Sequence, residues 1–137
     1  EAVAIGTGVL IAEVLDIGFN QLPQAILDTS ATCHMPDTLE MPYRPEIEGA
    51  SDPVEGLPRY RLGGISCLAG DYLENYYFKK PLKVGDPIIL EDQMHYTMVK
   101  TTMFNGVNHP DIGIWTKNDE YRLIRKFGYE DYKNRLS

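Results

Sequence analysis

The chain has 137 residues, 43% of them hydrophobic and 24% charged, which suits one folded unit with a real core and is too little for two. Its formal net charge of −7 argues against nucleic acid or an anionic membrane surface as a partner, since both would repel it, and sits more easily with a cationic small molecule. No apolar run approaches the ~20 residues that cross a bilayer and no signal peptide is visible, so the expected setting is cytoplasmic.

The sequence opens on Glu1-Ala2-Val3-Ala4-Ile5, with no initiator Met and almost no polar lead-in to a strand. That reads either as a processed start or as a piece cut from a longer chain. Residues 2–17 alternate: Val3, Ile5, Val9, Ile11, Leu15 and Ile17 point one way, with the small Gly6, Gly8 and Ala12 on the other side. A strand follows from that period, interrupted at the glycines. A second strand is expected at Ala25–Ser30. The segment His34–Pro45 carries three prolines, too many for a long helix or a central strand, and reads as a helical turn inside an ordered loop.

Residues 46–58 mix Glu46, Glu48, Asp52 and Glu55 with glycines and prolines and read as a solvated connection. Strand signals return at Arg59–Leu62, Pro87–Leu90 and His95–Phe104. A hairpin is expected from Ile112–Thr116 and Tyr121–Lys126, turning through Lys117-Asn118-Asp119-Glu120, and a short helix from Tyr129–Leu136. The fold class is therefore mainly β, a barrel or sandwich with one or two short helices, in a single β-rich domain over residues 1–137.

Three segments carry residues suited to chemistry. In Gly63-Gly64-Ile65-Ser66-Cys67-Leu68-Ala69-Gly70-Asp71, glycines on both sides of a cysteine allow tight turns that hold a thiol at the rim of a pocket. Asp71 there could orient a neighbour or face a cation. The plainer reading is a small buried hydrophobe beside a bulge. In Met94-His95-Tyr96-Thr97, the Tyr96 hydroxyl could donate to an anion such as a phosphate, though tyrosine is also an ordinary strand residue. In the proline-rich loop, His34, Asp37, Glu40 and Arg44 stand among Met35, Leu39, Met41 and Tyr43, so the loop either packs down and presents its charges or leaves them solvated. Cys33 and Cys67 form no Cys-x-x-Cys and no zinc spacing with histidine, and read as unpaired thiols.

Taken together, Cys-Leu-Ala-Gly-Asp at 67–71, His-Met-Pro-Asp-Thr-Leu-Glu-Met-Pro-Tyr-Arg-Pro at 34–45 and His-Tyr-Thr-Met-Val-Lys-Thr-Thr-Met-Phe-Asn-Gly at 95–106 resemble the C-terminal domain of the pyridoxal-phosphate-dependent basic amino acid decarboxylases with an alanine-racemase-like barrel. The likeness runs through nearly the whole chain. It implies a two-domain enzyme in which an N-terminal barrel domain, outside this chain, bears the Schiff-base lysine and most of the phosphate site. It further implies a homodimer with shared active sites, inactive as the isolated domain. By the same resemblance Cys67 is the general acid of the opposite subunit, Tyr96 lies near the phosphate of pyridoxal 5'-phosphate, and Asp37 faces the distal amine of the substrate. His34, Glu40, Arg44 and Asp71 are further candidate substrate contacts. Glu1 falls in a Glu-Pro-Gly-Glu-like stretch just beyond the barrel.

One departure bears on substrate. Relatives acting on ornithine or diaminopimelate have an acidic residue after the cysteine, where this chain has Leu68. A short substrate would bury its ammonium unpaired there, which is costly. A longer carboxylated polyamine, carboxynorspermidine or carboxyspermidine, would place its nearest amine further out, toward Asp37 or Glu40. The alternatives are a related decarboxylase of diaminopimelate, ornithine or arginine, and a free-standing β-domain that binds a ligand without catalysis.

Overall fold

A computed structural model describes residues 3–136. Its frame is a six-stranded sheet built from β1 (Leu10–Asn20), β2 (Leu22–Leu27), β3 (Ala50–Ser51), β4 (Arg59–Gly63), β5 (Tyr72–Phe78) and β6 (Pro87–Leu90). The strands lie in the order β3-β5-β4-β2-β1-β6, with β2 and β4 parallel and the other neighbours antiparallel. The sheet curls until its edges meet. Residues 46–48 run into β3 and lie along β6: Glu48 N donates to Ile89 O at 3.0 Å, Glu91 N to Glu46 O at 2.9 Å, and Ile47 bridges Leu90. Closure of this kind removes the exposed edges an open sheet would offer. The core inside it holds Val14, Leu27, Leu62, Tyr76, Phe78, Ile88 and Leu90.

The mainly β architecture expected from the sequence is present, and several boundaries agree. Residues 46–58 hold more than a solvated connection, since the closing segment lies there and Ile47 is buried. Strand β1 forms with its faces reversed. Ala12 and Val14 point inward, while Ile11 and Leu15 are exposed. Alternation fixes which residues share a face, not which face is covered, and the small Ala12 pairs with the bulky, buried Ile88. Strand β5 has no clean alternation, because Asn75 takes a left-handed φ of 68° and the β4–β5 register shifts beside it. Buried residues there fall at Leu73, Tyr76 and Phe78, three apart and then two.

The stretch expected as a strand at His95–Phe104 is instead helix α3 (His95–Val99) followed by a 3-10 turn, Phe104–Gly106. Its β-branched and aromatic residues favour a strand locally, but the Thr97 side chain is drawn into a buried bond with Asp37, and tertiary context prevails. The proline-rich loop holds the one helical turn expected of it, α2 (Asp37–Glu40), and a further turn, α1 (Ala31–His34), leads into it. With the tail helix α4 (Tyr129–Leu136) the short helices number four among the described residues, more than expected.

The hairpin β7 (Ile112–Trp115) and β8 (Tyr121–Arg125) stands apart from the sheet. It leaves Ile114, Trp115, Tyr121, Leu123 and Ile124 exposed. A lone two-stranded hairpin is marginally stable in water.

Candidate functional site

Helices α2 and α3 pack side by side and form one wall of a cleft of about 640 Å³ lined by Ile5, Asp37, Met41, Tyr43, Asp92, His95, Tyr96, Thr97 and Lys100. Asp37 opens α2, and its carboxylate is buried at 8% exposure. Its Oδ2 accepts from the Tyr43 hydroxyl at 2.7 Å and from Thr97 Oγ1 at 2.9 Å. Its Oδ1 is buried without a hydrogen-bond partner, and so is His95 Nε2. An unsatisfied buried polar group costs about 1–3 kcal/mol, more when charged.

At the cleft rim Lys100 pairs with Glu40, joining α3 to α2. The hydrogen bond that the exposed Lys100 ammonium donates to Glu40 raises its pKa above the ordinary value. Burial raises that of the Tyr43 phenol, reinforced by the neighbouring Asp37, so this hydroxyl stays a donor. Tyr96 is 61% exposed on the first turn of α3, its ring at the cleft wall.

A second constellation surrounds Asp71, on the far side of α1 in sequence. Ser30 Oγ donates to both oxygens at 3.0 and 2.9 Å, Thr32 N to Oδ1 at 3.0 Å, and Ser66 N to Oδ2 at 3.0 Å. Gly64 sits under this carboxylate, and a Cβ there would collide with it. Burial alone would raise the Asp71 pKa, but the donors from Ser66, Thr32 and Ser30 outweigh it and hold it below the usual value. Asp71 thus ties the loop 64–70, which carries the exposed Cys67, to the start of α1.

His34, at the end of α1, is buried. Its Nε2 meets the Asn108 carbonyl at 2.8 Å, so that nitrogen carries the hydrogen. Nδ1 then accepts from Thr29 Oγ1 at 2.8 Å and Ser30 N at 3.3 Å. Burial depresses its pKa, with the Asn108 bond opposing, which agrees with a neutral ring.

The expected site residues therefore separate. Asp37, Tyr96 and, at the rim, Glu40 gather at the cleft. Cys67 and Asp71 share the loop and its clamp, and Cys67 does not line the cleft. Both nitrogens of His34 are occupied within the chain. Arg44 points elsewhere: it pairs with Asp52, donates to the Asn75 carbonyl at 2.8 Å and lies over the Tyr76 ring, beside a smaller hollow. Glu1 lies outside the described residues. Reasoning from sequence singled out the segment containing His95 yet chose only Tyr96 from it, since an unpaired ring nitrogen leaves no mark in a sequence. Both cysteines are free, Cys33 buried and Cys67 exposed. Among the described residues no cluster of three or more His, Cys, Asp or Glu could hold a metal ion, and no helix is long and apolar enough to cross a membrane.

No family model matches the sequence. Over 98% of its length the chain is 59% identical to the carboxyaminopropylagmatine decarboxylase of Synechocystis sp., of which it spans 35%. It is 45% identical, over 98% of its length, to the carboxynorspermidine/carboxyspermidine decarboxylase of Campylobacter jejuni, of which it spans 38%. The chain thus covers well under half the length of the curated relatives it matches. The crystal structure of carboxynorspermidine decarboxylase complexed with norspermidine from Campylobacter jejuni superposes with a TM-score of 0.93 at 45% identity, over 98% of this chain and 40% of that one. Diaminopimelate decarboxylase from Helicobacter pylori complexed with L-lysine superposes with a TM-score of 0.76 over 96% of the chain at 21% identity, a likeness of fold alone. The curled, mostly β fold is that of the C-terminal domain of such decarboxylase structures. The chain is homologous along its whole length to decarboxylases of carboxylated polyamines.

Proposed function

We propose that this chain is the β-domain of a pyridoxal-phosphate-dependent carboxy-lyase of polyamine biosynthesis, converting carboxynorspermidine or carboxyspermidine to norspermidine or spermidine. The observation that carries this reading is the whole-length match to the Campylobacter jejuni enzyme in both sequence and fold. In this reading a barrel domain joins the chain, and a cytoplasmic homodimer shares each active site between subunits.

The chain's residues fit part of a pyridoxal-phosphate site. Tyr96 offers an accessible hydroxyl at the cleft wall, suited to donating to a phosphate oxygen. Lys100 lines the cleft and is tied to Glu40 at its rim, and by the family resemblance the imine-forming lysine would belong to the barrel. When bound, the cofactor holds the substrate amine and accepts the electrons left when carbon dioxide departs.

This chain would contribute recognition and a proton. Asp37 attracts the cationic end of the substrate into an otherwise largely apolar and aromatic cleft. Cys67 stands on an exposed loop whose base Asp71 fixes, so the thiol is available to a neighbouring subunit. Once carbon dioxide has left, the Cys67 thiol would deliver a proton to the same carbon. Asp71 acts through Cys67 by holding its loop and does not itself meet substrate, because both its oxygens are engaged.

A second substrate reading has a specific observation behind it. Of the two identities quoted, the higher belongs to the carboxyaminopropylagmatine decarboxylase, whose substrate ends in a guanidine. The deciding experiment assays the full-length gene product, loaded with pyridoxal phosphate, for carbon dioxide release from carboxynorspermidine, carboxyspermidine and carboxyaminopropylagmatine. Turnover of at least one, lowered by about 10²–10⁴-fold in Cys67→Ala, is the expected result. No turnover of any of the three would overturn the reading.

A further inference from the structure

Ser30 is fully buried where the start of α1 meets the loop 64–70, and nothing in the proposed chemistry uses it. We propose that Ser30 is a positioning residue for Cys67: its one hydroxyl fastens the loop that carries the thiol to helix α1. The inference rests on the proposed function and adds the side chain through which the body of the domain sets the place of that thiol.

The loop first closes on itself. Gly64 N donates to Asp71 O at 2.8 Å across its neck, Asp71 N to Leu68 O at 2.9 Å, and Ser66 N to Asp71 Oδ2 at 3.0 Å. These bonds shape the loop but lie within it, so they do not set its angle to the rest of the domain. Among the described residues, three groups from outside do that. Thr29 O accepts from Ile65 N at 3.1 Å, Thr32 N donates to Asp71 Oδ1 at 3.0 Å, and Ser30 Oγ meets both Asp71 oxygens at 3.0 and 2.9 Å. Two of the three are backbone atoms, and Ser30 supplies the side chain. It also steadies one of the others. As the N-cap of α1 it accepts from Cys33 N at 3.1 Å, which fixes the turn from which Thr32 N points.

Helix α1 is anchored in turn on the side of the cleft. Cys33 O accepts from Thr102 N at 2.8 Å, and His34 Nε2 donates to Asn108 O at 2.8 Å, so the helix is tied to the segment that follows α3. The Ser30 hydroxyl therefore joins the Cys67 loop to the body that carries the cleft. Proton delivery depends on the distance and angle between thiol and carbon, and a displacement of about 1 Å can cost about 10²-fold. Loss of the anchor should thus fall on rate and spare substrate affinity.

The test uses the full-length protein carrying its cofactor. It compares Ser30→Ala with Tyr76→Phe, a control that loses a different buried hydrogen bond, to Pro45 O at 2.7 Å. Ser30→Ala should lower kcat by about tenfold and leave KM within about twofold. In a Cys67→Ala background, read by single turnover, it should cause no further loss, because a residue that acts through the thiol has nothing left to position. Iodoacetamide should modify Cys67 at least about threefold faster in Ser30→Ala than in the wild type, measured on the Cys67 peptide by mass spectrometry. Tyr76→Phe should match the wild type in both readouts. Ser30→Gly keeps the start of α1 at little cost; it replaces Ser30→Ala if that variant does not fold, and the same effects are expected. An equal loss of kcat with and without Cys67, or an unchanged alkylation rate, overturns the proposal. Failure of the function itself reads out separately, as a wild type that turns over no carboxylated polyamine, and the alkylation rates then still decide whether Ser30 holds the loop.

Discussion

Two buried aspartates carry opposite hydrogen-bond accounts. Asp71 receives three donor groups over both its oxygens, all from this chain, and even the glycine beneath it is shaped by its presence. Asp37, buried to a similar depth, has one oxygen met by two hydroxyls and the other by nothing. A carboxylate whose partners are complete is part of the scaffold. One left half-finished at a cleft has a weaker hold on the scaffold. The contrast explains why both residues draw attention in the sequence, where an aspartate beside a cysteine and one inside a proline-rich loop look equally suited to a cation.

The sharpest way to break the comparison is to neutralise each residue in turn. In Asp71→Asn one of the two oxygens becomes an NH₂ that must face a donor, either Thr32 N or Ser66 N. Hydrogen bonds to charged groups contribute about 1.5–3 kcal/mol each, so a loss of about 2–4 kcal/mol is expected, read as a lower denaturation midpoint of the full-length protein. Asp37→Asn keeps an oxygen for Tyr43 and Thr97 and removes a buried charge that no hydrogen-bonded cation pairs. Its stability without ligand should match or exceed the wild type. Equal losses in the two variants would erase the distinction between scaffold and site.

Acid titration sharpens the same contrast. Burial would raise the Asp71 pKa, but its donors win and lower it, so its stabilisation is complete above the unfolded value of about 4 and is lost as pH falls through the lower folded value. His34 and His109 are both depressed, in each case chiefly by burial, with Arg135 adding to the effect at His109. Protonation of the unfolded chain therefore begins to draw stability away as pH drops below about 6.5. Denaturation midpoints should fall steadily between about pH 6.5 and 5 and steepen below about 4. His34→Gln with His109→Gln should flatten the first stage and leave the second, and an unchanged first stage would mean the two rings are not held neutral.

Much of this was legible beforehand, for identifiable reasons. Strand β6 and helix α4 were readable because each follows a simple local pattern, a short apolar run and a tail with acids first and bases last. Strand β5 was hidden by the bulge at Asn75, and β1 kept its period but hid its orientation, since Ile11 and Leu15 are the larger apolar residues and face outward. Helix α3 was concealed by residues with strand propensity whose fate was settled by Asp37, far away in sequence. The same holds for the site. Residue types at Asp37 and Tyr96 could be read, but which oxygen stays free depends on Thr97 and Tyr43 arriving from two different elements. For the same reason Arg44, with the right charge and spacing, could not be recognised as a partner of Asp52.

The smallest effect comes from the hydroxyls themselves. Tyr43→Phe removes one of the two donors on Asp37 Oδ2 and leaves Thr97 in place. A single hydrogen bond of this kind contributes about 1.5–3 kcal/mol when its acceptor is charged, and the discount for a residue at 43% exposure brings the expected loss to about 1 kcal/mol. Amine affinity should move little, within about threefold, because Asp37 keeps its charge and its Thr97 bond and an arithmetic of about 1.4 kcal/mol per tenfold leaves small room for an indirect effect. Stability and binding would thus separate in this variant, with the cost falling on the fold. If Tyr43→Phe instead weakened norspermidine or agmatine tenfold while leaving stability alone, the phenol would be a ligand contact and not a support for Asp37.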